Sequence, residues 1–130
     1  MKLSNKDLNL AKGALRRAFT KSEIYKQIRD AHVVEHSDPN RPRVSRWAWC
    51  ASCGEIFPAY TGSVDHIAAI IPLDKLTEEM TIGEIAEAIY CDPSNLQFLC
   101  QDCHTRKTLG ENAIRRENKK KRRLLSQNNT

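Results

Sequence analysis

Apolar residues recur every three to four positions between Lys6 and His32, at Leu8, Ala11, Leu15 and Ala18/Phe19, then at Ile24, Ile28 and Ala31. That period gathers them on one helical face. Thr20 followed by Glu23 has the form of a capping box, which predicts two short helices or one helix broken near Thr20. Ser37-Asp38-Pro39-Asn40-Arg41-Pro42 reads as a loop, and Val44 to Trp49 as a short strand. Between Ile56 and Ile67, apolar stretches flank Thr61-Gly62-Ser63. They predict a hairpin whose second strand holds Val64-Asp65-His66-Ile67.

Thr81-Ile82-Gly83-Glu84 is a second capping-box pattern, and Ile82, Ile85, Ala86 and Ile89 then share a face. A helix at about residues 74–91 is therefore expected to cover the core, ended by Asp92-Pro93-Ser94. A brief apolar stretch, Asn95 to Leu99, precedes a further helix with Asp102 as its cap. Gly110 and the Thr108/Glu111 pair predict an interruption in that helix. No internal repeat is present. The expected class is α+β: a helical extension over residues 1–43, a core over 44–110 with an inserted helix, and a helix or tail over 111–130.

Length and composition narrow this picture. With 130 residues and only 6% aromatics, a single small core has little apolar area to bury, so a staple such as a bound metal is expected. Met1 to Leu10 lack an apolar stretch of signal-peptide length, and no run of about 18 apolar residues occurs. The expectation is a cytoplasmic protein with no membrane partner, whose clustered cysteines serve metal or redox chemistry rather than disulfides.

The net charge of +5 is unevenly placed. Residues 1–30 carry eight basic and three acidic residues, and residues 115–130 carry seven and one. Residues 67–94 carry one basic and six acidic residues. Basic ends fit a polyanion such as nucleic acid, or simply solvated helix faces. The segment past Arg115 is expected to be helical only when bound to DNA.

Two Cys-x-x-Cys pairs, Cys50/Cys53 and Cys100/Cys103, offer the four soft ligands that tetrahedral Zn2+ prefers. A redox motif would need one pair in a thioredoxin-like setting, which is absent. A site filled by four thiolates has no open position, so the zinc is structural. The pairs are separated by 46 residues, so zinc would also constrain everything between them. Cys91 is left over and reads as a small buried residue.

Asp65-His66, Asn95 and His104 lie inside or beside this frame. Read singly, each has a plain explanation: a satisfied Asp-His pair, a turn residue after Pro93-Ser94, and a fourth zinc ligand competing with a cysteine. Together they supply what phosphodiester hydrolysis uses, namely a histidine base and donors for a divalent cation. Cys103 and His104, adjacent on a helix, point about 100° apart and can serve separate sites. Asp65 and His66, adjacent on a strand, point to opposite faces. To serve one phosphate they must sit at a strand end or bulge, or flank it from two sides.

The series Val64-Asp65-His66-Ile67, Asn95-Leu96-Gln97-Phe98-Leu99-Cys100 and Cys103-His104-Thr105-Arg106-Lys107-Thr108 resembles the zinc-containing HNH endonucleases over about residues 47–110. The resemblance implies a ββα-metal (His-Me finger) core with a treble-clef-like zinc site. It implies His66 as general base, Asp65 and His104 as ligands of a catalytic Mg2+, Mn2+ or Ni2+ ion, and Asn95 as a brace for the loop and the base. Arg106 and Lys107 resemble phosphate contacts, and Arg115, Arg116, Lys119, Lys120, Lys121, Arg122 and Arg123 form the basic tail expected on DNA. The 28 residues between His66 and Asn95 exceed the gap in many such enzymes. They could alter substrate access or hide a partner surface. Stand-alone domains of this size resemble phage nucleases that serve homing, packaging or attack on host DNA. A protein partner such as packaging machinery and residence in a host cytoplasm follow from that likeness. The rival readings are a non-catalytic zinc module that binds DNA and an interaction module that docks through the acidic helix.

Overall fold

The computed structural model describes residues 3–128. It is an α+β fold of four helices and two small antiparallel sheets. Helix α1 (Asn5–Phe19) is capped by Ser4, whose side chain accepts from Asp7 N at 3.1 Å. It turns into α2 (Glu23–Ala31). The break falls where expected, but the cap differs. Ser22 accepts from Tyr25 N, while the Thr20 hydroxyl is turned back onto the Arg17 carbonyl at 2.7 Å and so closes α1 instead.

Three short strands, β1 (Val33–Val34), β2 (Trp47–Trp49) and β3 (Ile56–Pro58), form one sheet in that order. The strand expected from Val44 begins only at Trp47, because Val44 N closes a turn onto Arg41 O. Strand β1 has no signal in the periodicity, as two residues are too few to alternate.

Strand β4 (Ser63–His66) does not form the expected hairpin with β3. It pairs with β5 (Leu96–Leu99), in the register Ser63↔Leu99, Asp65↔Gln97 and His66↔Leu96. A short 3-10 turn at Ala59–Thr61 redirects the chain between the two sheets. Gly62 then passes against two aromatic rings: a Cβ there would lie 2.6 Å from atoms of both Phe57 and Phe98. No larger residue fits that crossing. Phe98 is 1% exposed and sits at the centre of the core.

Helix α3 (Ile82–Ile89) has the expected capping box in full: Glu84 N donates to Thr81 Oγ1 and Thr81 N to Glu84 Oε1. It is shorter than the 74–91 span anticipated, and a 3-10 turn at Thr77–Glu79 precedes it. Ile85 and Ile89 are fully buried, whereas Ile82 remains exposed. The helix lies over α1 and closes one side of the core.

Helix α4 (Gln101–Asn128) runs unbroken for 28 residues, about 42 Å at 1.5 Å per residue. Asp102 lies in its first turn rather than at its cap, and neither Gly110 nor the Thr108/Glu111 pair interrupts it. The basic segment is thus the continuation of that helix. Tertiary contacts explain why. Arg115 donates to the carbonyls of Ile71 (2.6 Å) and Pro72, and Asn118 to that of Leu73 (2.9 Å). Arg122 pairs with Glu79 at 2.8 Å and reaches the Asp74 carbonyl. The acidic insertion and the basic helix hold each other, which overrides the weak local propensity at Gly110.

Two glycine substitutions separate these effects. Gly62→Ala is expected to lower stability by about 1–3 kcal/mol through overpacking against the rings. Gly110→Ala, which meets no atom within 4 Å, should raise it by about 0.5–1 kcal/mol. Urea unfolding midpoints check both, and equal midpoints would contradict the packing at Gly62.

Candidate functional site

The two cysteine pairs arrive from different elements. Cys50 follows β2, and the chain turns at once through Gly54, whose φ of 75° lies in the left-handed region that suits glycine. Gly54 N donates to Cys50 O and Cys50 N to Glu55 O, which closes a tight knuckle between β2 and β3. Cys100 and Cys103 lie at the junction of β5 and α4, where His104 N donates to Cys100 O. Ala51 N donates to Phe98 O and joins the knuckle to β5.

The four sulfurs all lie within 4.8 Å of one another, and Cys53 Sγ is 4.0 Å from Cys100 Sγ. A tetrahedron with Zn–S bonds of about 2.3 Å has edges of about 3.8 Å, so the cluster suits one such ion. Burial opposes ionisation of Cys50, but the backbone N–H groups of Cys53, Cys100 and Ser52 bring its thiol down to about 6. Burial pushes the Cys100 thiol up to about 12. Cys91 stands apart, half-buried near Asn95.

On the other face of α4, His104 points away from the sulfurs. Its Nε2 is 3.9 Å from Asp65 Oδ1, which removes it as a rival zinc ligand. Asp65 is buried, at 7% exposure, and its second oxygen is held by Gln97 Nε2 (3.0 Å) and Lys107 Nζ (3.2 Å). These contacts leave Oδ1 turned toward His104. A separation of 3.9 Å can be spanned by one small cation with bonds of about 2.1 Å to each donor. Lys107 also donates to His66 O (2.9 Å) and pairs with Glu111 (3.3 Å). Its ammonium, expected as a phosphate contact, is here directed onto the carboxylates of Asp65 and Glu111.

His66 ends β4 and faces the opposite way from Asp65, toward Phe19 and α3. Its Nε2 lies 2.8 Å from the Ile89 carbonyl. A carbonyl only accepts, so Nε2 carries a proton, and the tautomer this selects has its lone pair at Nδ1. Asn95 braces the chain just beyond. Its Oδ1 accepts from Ala68 N (2.8 Å), its Nδ2 donates to Ala68 O, and its backbone carbonyl accepts from Ile67 N.

Asp65, His66 and His104 line one cleft of about 450 Å³, floored by β4 and walled by α1 and α4. His66 is the last residue of β4, so the pair sits at a strand end, one of the three arrangements open from sequence. The wall also carries Lys12, Arg16, Glu111 and Arg115, none anticipated as cleft residues. A signal for part of this wall was present: His104, Thr108, Glu111 and Arg115 recur at helical spacing on one face of α4.

The remaining expected DNA contacts divide. Arg115 and Arg122 are engaged with the insertion, as described above. Arg116, Lys119, Lys120 and Arg123 line a shallow exposed groove along α4, and Lys121 is exposed beside them. Arg106 is exposed next to the cysteine cluster. No helix among the described residues is long and apolar enough to cross a membrane. Comparison with known proteins found no matching family model, no matching curated protein and no matching solved structure.

The purified chain is expected to hold one zinc per molecule by elemental analysis. Cys50→Ser or Cys103→Ser should lose it and lower the Tm by more than about 10 °C, as suits a loss of a few kcal/mol. Zinc uptake at neutral pH must release the Cys100 proton, so affinity should fall as pH is lowered. Full zinc occupancy in both variants would contradict the four-sulfur site.

Proposed function

We propose that this chain is a metal-dependent endonuclease of the HNH type, which hydrolyses DNA phosphodiester bonds. The observation that carries the reading is the meeting of Asp65, His66 and His104 on one cleft, with the proton of His66 assigned to the nitrogen away from its lone pair. The order β4, β5, α4, with cysteines at the β2–β3 knuckle and at the start of α4, supports a ββα-metal core with a treble-clef-like zinc site.

In this reading His66 Nδ1 takes the proton from a water that attacks a phosphate of the nucleic-acid backbone. Asp65 and His104 would hold Mg2+, Mn2+ or Ni2+, which would supply positive charge to the phosphate and the leaving oxygen. Gln97 and Lys107 fix the carboxylate so that Oδ1 faces His104. Asn95 positions the 67–68 segment and with it the end of β4. The bond from phosphorus to the 3′-oxygen breaks and that oxygen takes a proton from water, giving 5′-phosphate and 3′-hydroxyl ends. The zinc has no part in the bond-breaking, because its cysteines fill its coordination shell.

A second reading, a zinc-stabilised DNA-binding module without catalysis, is favoured by one observation. Lys107 pairs with Asp65 at 3.2 Å and so offsets the charge of that carboxylate. Salt-sensitive binding without cleavage would follow from it.

The two readings part on supercoiled plasmid with Mg2+, Mn2+ or Ni2+. The wild-type chain should nick it, and His66→Ala should be slower by about 100-fold or more, with zinc content and DNA affinity retained. Cleavage undiminished in His66→Ala removes that residue as the base.

A further inference from the structure

The wall of the cleft is more basic than the proposed chemistry uses. Lys12 and Arg16, one helical turn apart on α1, face it from one side and Arg115 on α4 from another. Among the described residues, no carboxylate lies within ion-pair distance of Lys12 or Arg16. The two carboxylates that share the cleft, Asp65 and Glu111, are both held by Lys107. Like charges are thus gathered on one wall, Lys12 and Arg115 half-buried and Arg16 exposed, with no carboxylate among the described residues paired to them.

We infer that Lys12 and Arg16 form a phosphate subsite in this cleft, which holds a backbone phosphate of the nucleic acid beside the one to be cleaved. The inference rests on the endonuclease reading for its ligand and on the unpaired cations for its place. An anion suits the position for two reasons. Two cations at (i, i+4) repel each other, and a phosphate placed between them turns that repulsion into two charge-assisted contacts. Burial, followed by the nearby Arg16 and Arg115 charges, already holds the Lys12 ammonium below its ordinary value, the strain that a bound anion would relieve. Arg115, fixed by the Ile71 carbonyl, contributes field from the far wall without having to move.

The consequence is that α1 belongs to the substrate site. It would orient the backbone, so that its loss raises KM more than it lowers kcat.

The test uses the full zinc-loaded chain and a fluorescein-labelled duplex of defined sequence, followed by anisotropy over a salt series without added divalent ion. Lys12→Ala/Arg16→Ala is expected to weaken binding about tenfold at fixed salt and to reduce the slope of log K against log salt by about 1, the value for one lost phosphate contact. Arg17→Ala, on the same helix outside the cleft, serves as the control for general charge and should change the affinity less than threefold. Lys12→Arg should bind as the wild type does. Unchanged Tm and zinc content keep the double variant interpretable. In a second arm, inorganic phosphate titrated into 15N-labelled protein should shift the Arg16 Nε resonance in the wild type.

If the wild type binds and cleaves while the double variant matches it in affinity and slope, the subsite is overturned and the endonuclease reading stands. If Arg17→Ala weakens binding as much as the double variant, the effect is general charge and the subsite is equally overturned. If the wild type binds no duplex but phosphate still shifts Arg16, the nucleic-acid assignment of the subsite fails together with the endonuclease reading.

Discussion

The arrangement depends on four sulfurs brought within 4.8 Å of one another from two distant parts of the chain. A small core with few aromatics buries too little to fix every element by packing alone. The cysteine cluster brings the β2–β3 knuckle against the first turn of α4, where Cys100 N donates to Cys50 Sγ. Once Cys103 faces the sulfurs, the 100° step along the helix sends His104 the other way, toward Asp65. The clasp and the cleft are then two sides of one helix. A structural ion on the first side would set the geometry on the second.

A second constraint acts through strand alternation. Asp65 and His66 must point apart, and they do: one onto α4, the other toward α3 and Phe19. Both can line one cleft because β4 ends at His66, where the chain turns away under the grip of Asn95. The acidic insertion supplies the Ile89 carbonyl that orients His66, and its earlier segment is bound to α4 by Arg115, Asn118 and Arg122. The long gap between His66 and Asn95 thus contributes to the architecture of the cleft.

Some features were legible in the sequence, and those set by distant packing mostly were not. The Thr81/Glu84 box is a four-residue pattern and forms as read. The cysteine spacing likewise marked a cluster that the fold brings together. The supposed hairpin at Thr61-Gly62-Ser63 failed because the partner of β4 lies some thirty residues away, and Gly62 serves ring packing rather than a strand turn. The break predicted at Gly110 failed for a similar reason: contacts from the insertion, invisible to local propensity, hold α4 straight. Lys107 resembled a surface phosphate contact, yet the helix face shared with His104 directs it onto Asp65. Lys12 and Arg16 belong to no motif, and only packing of α1 against the core reveals them as part of the cleft.

The most direct test of the central claim, that this zinc-clasped cleft hydrolyses a nucleic-acid backbone, is to map the ends made on an end-labelled duplex. With Mg2+, Mn2+ or Ni2+ the account predicts fragments bearing 5′-phosphate and 3′-hydroxyl groups, and none from Asp65→Ala. A folded, zinc-loaded, duplex-binding protein that leaves the strands intact with every one of these ions would contradict it.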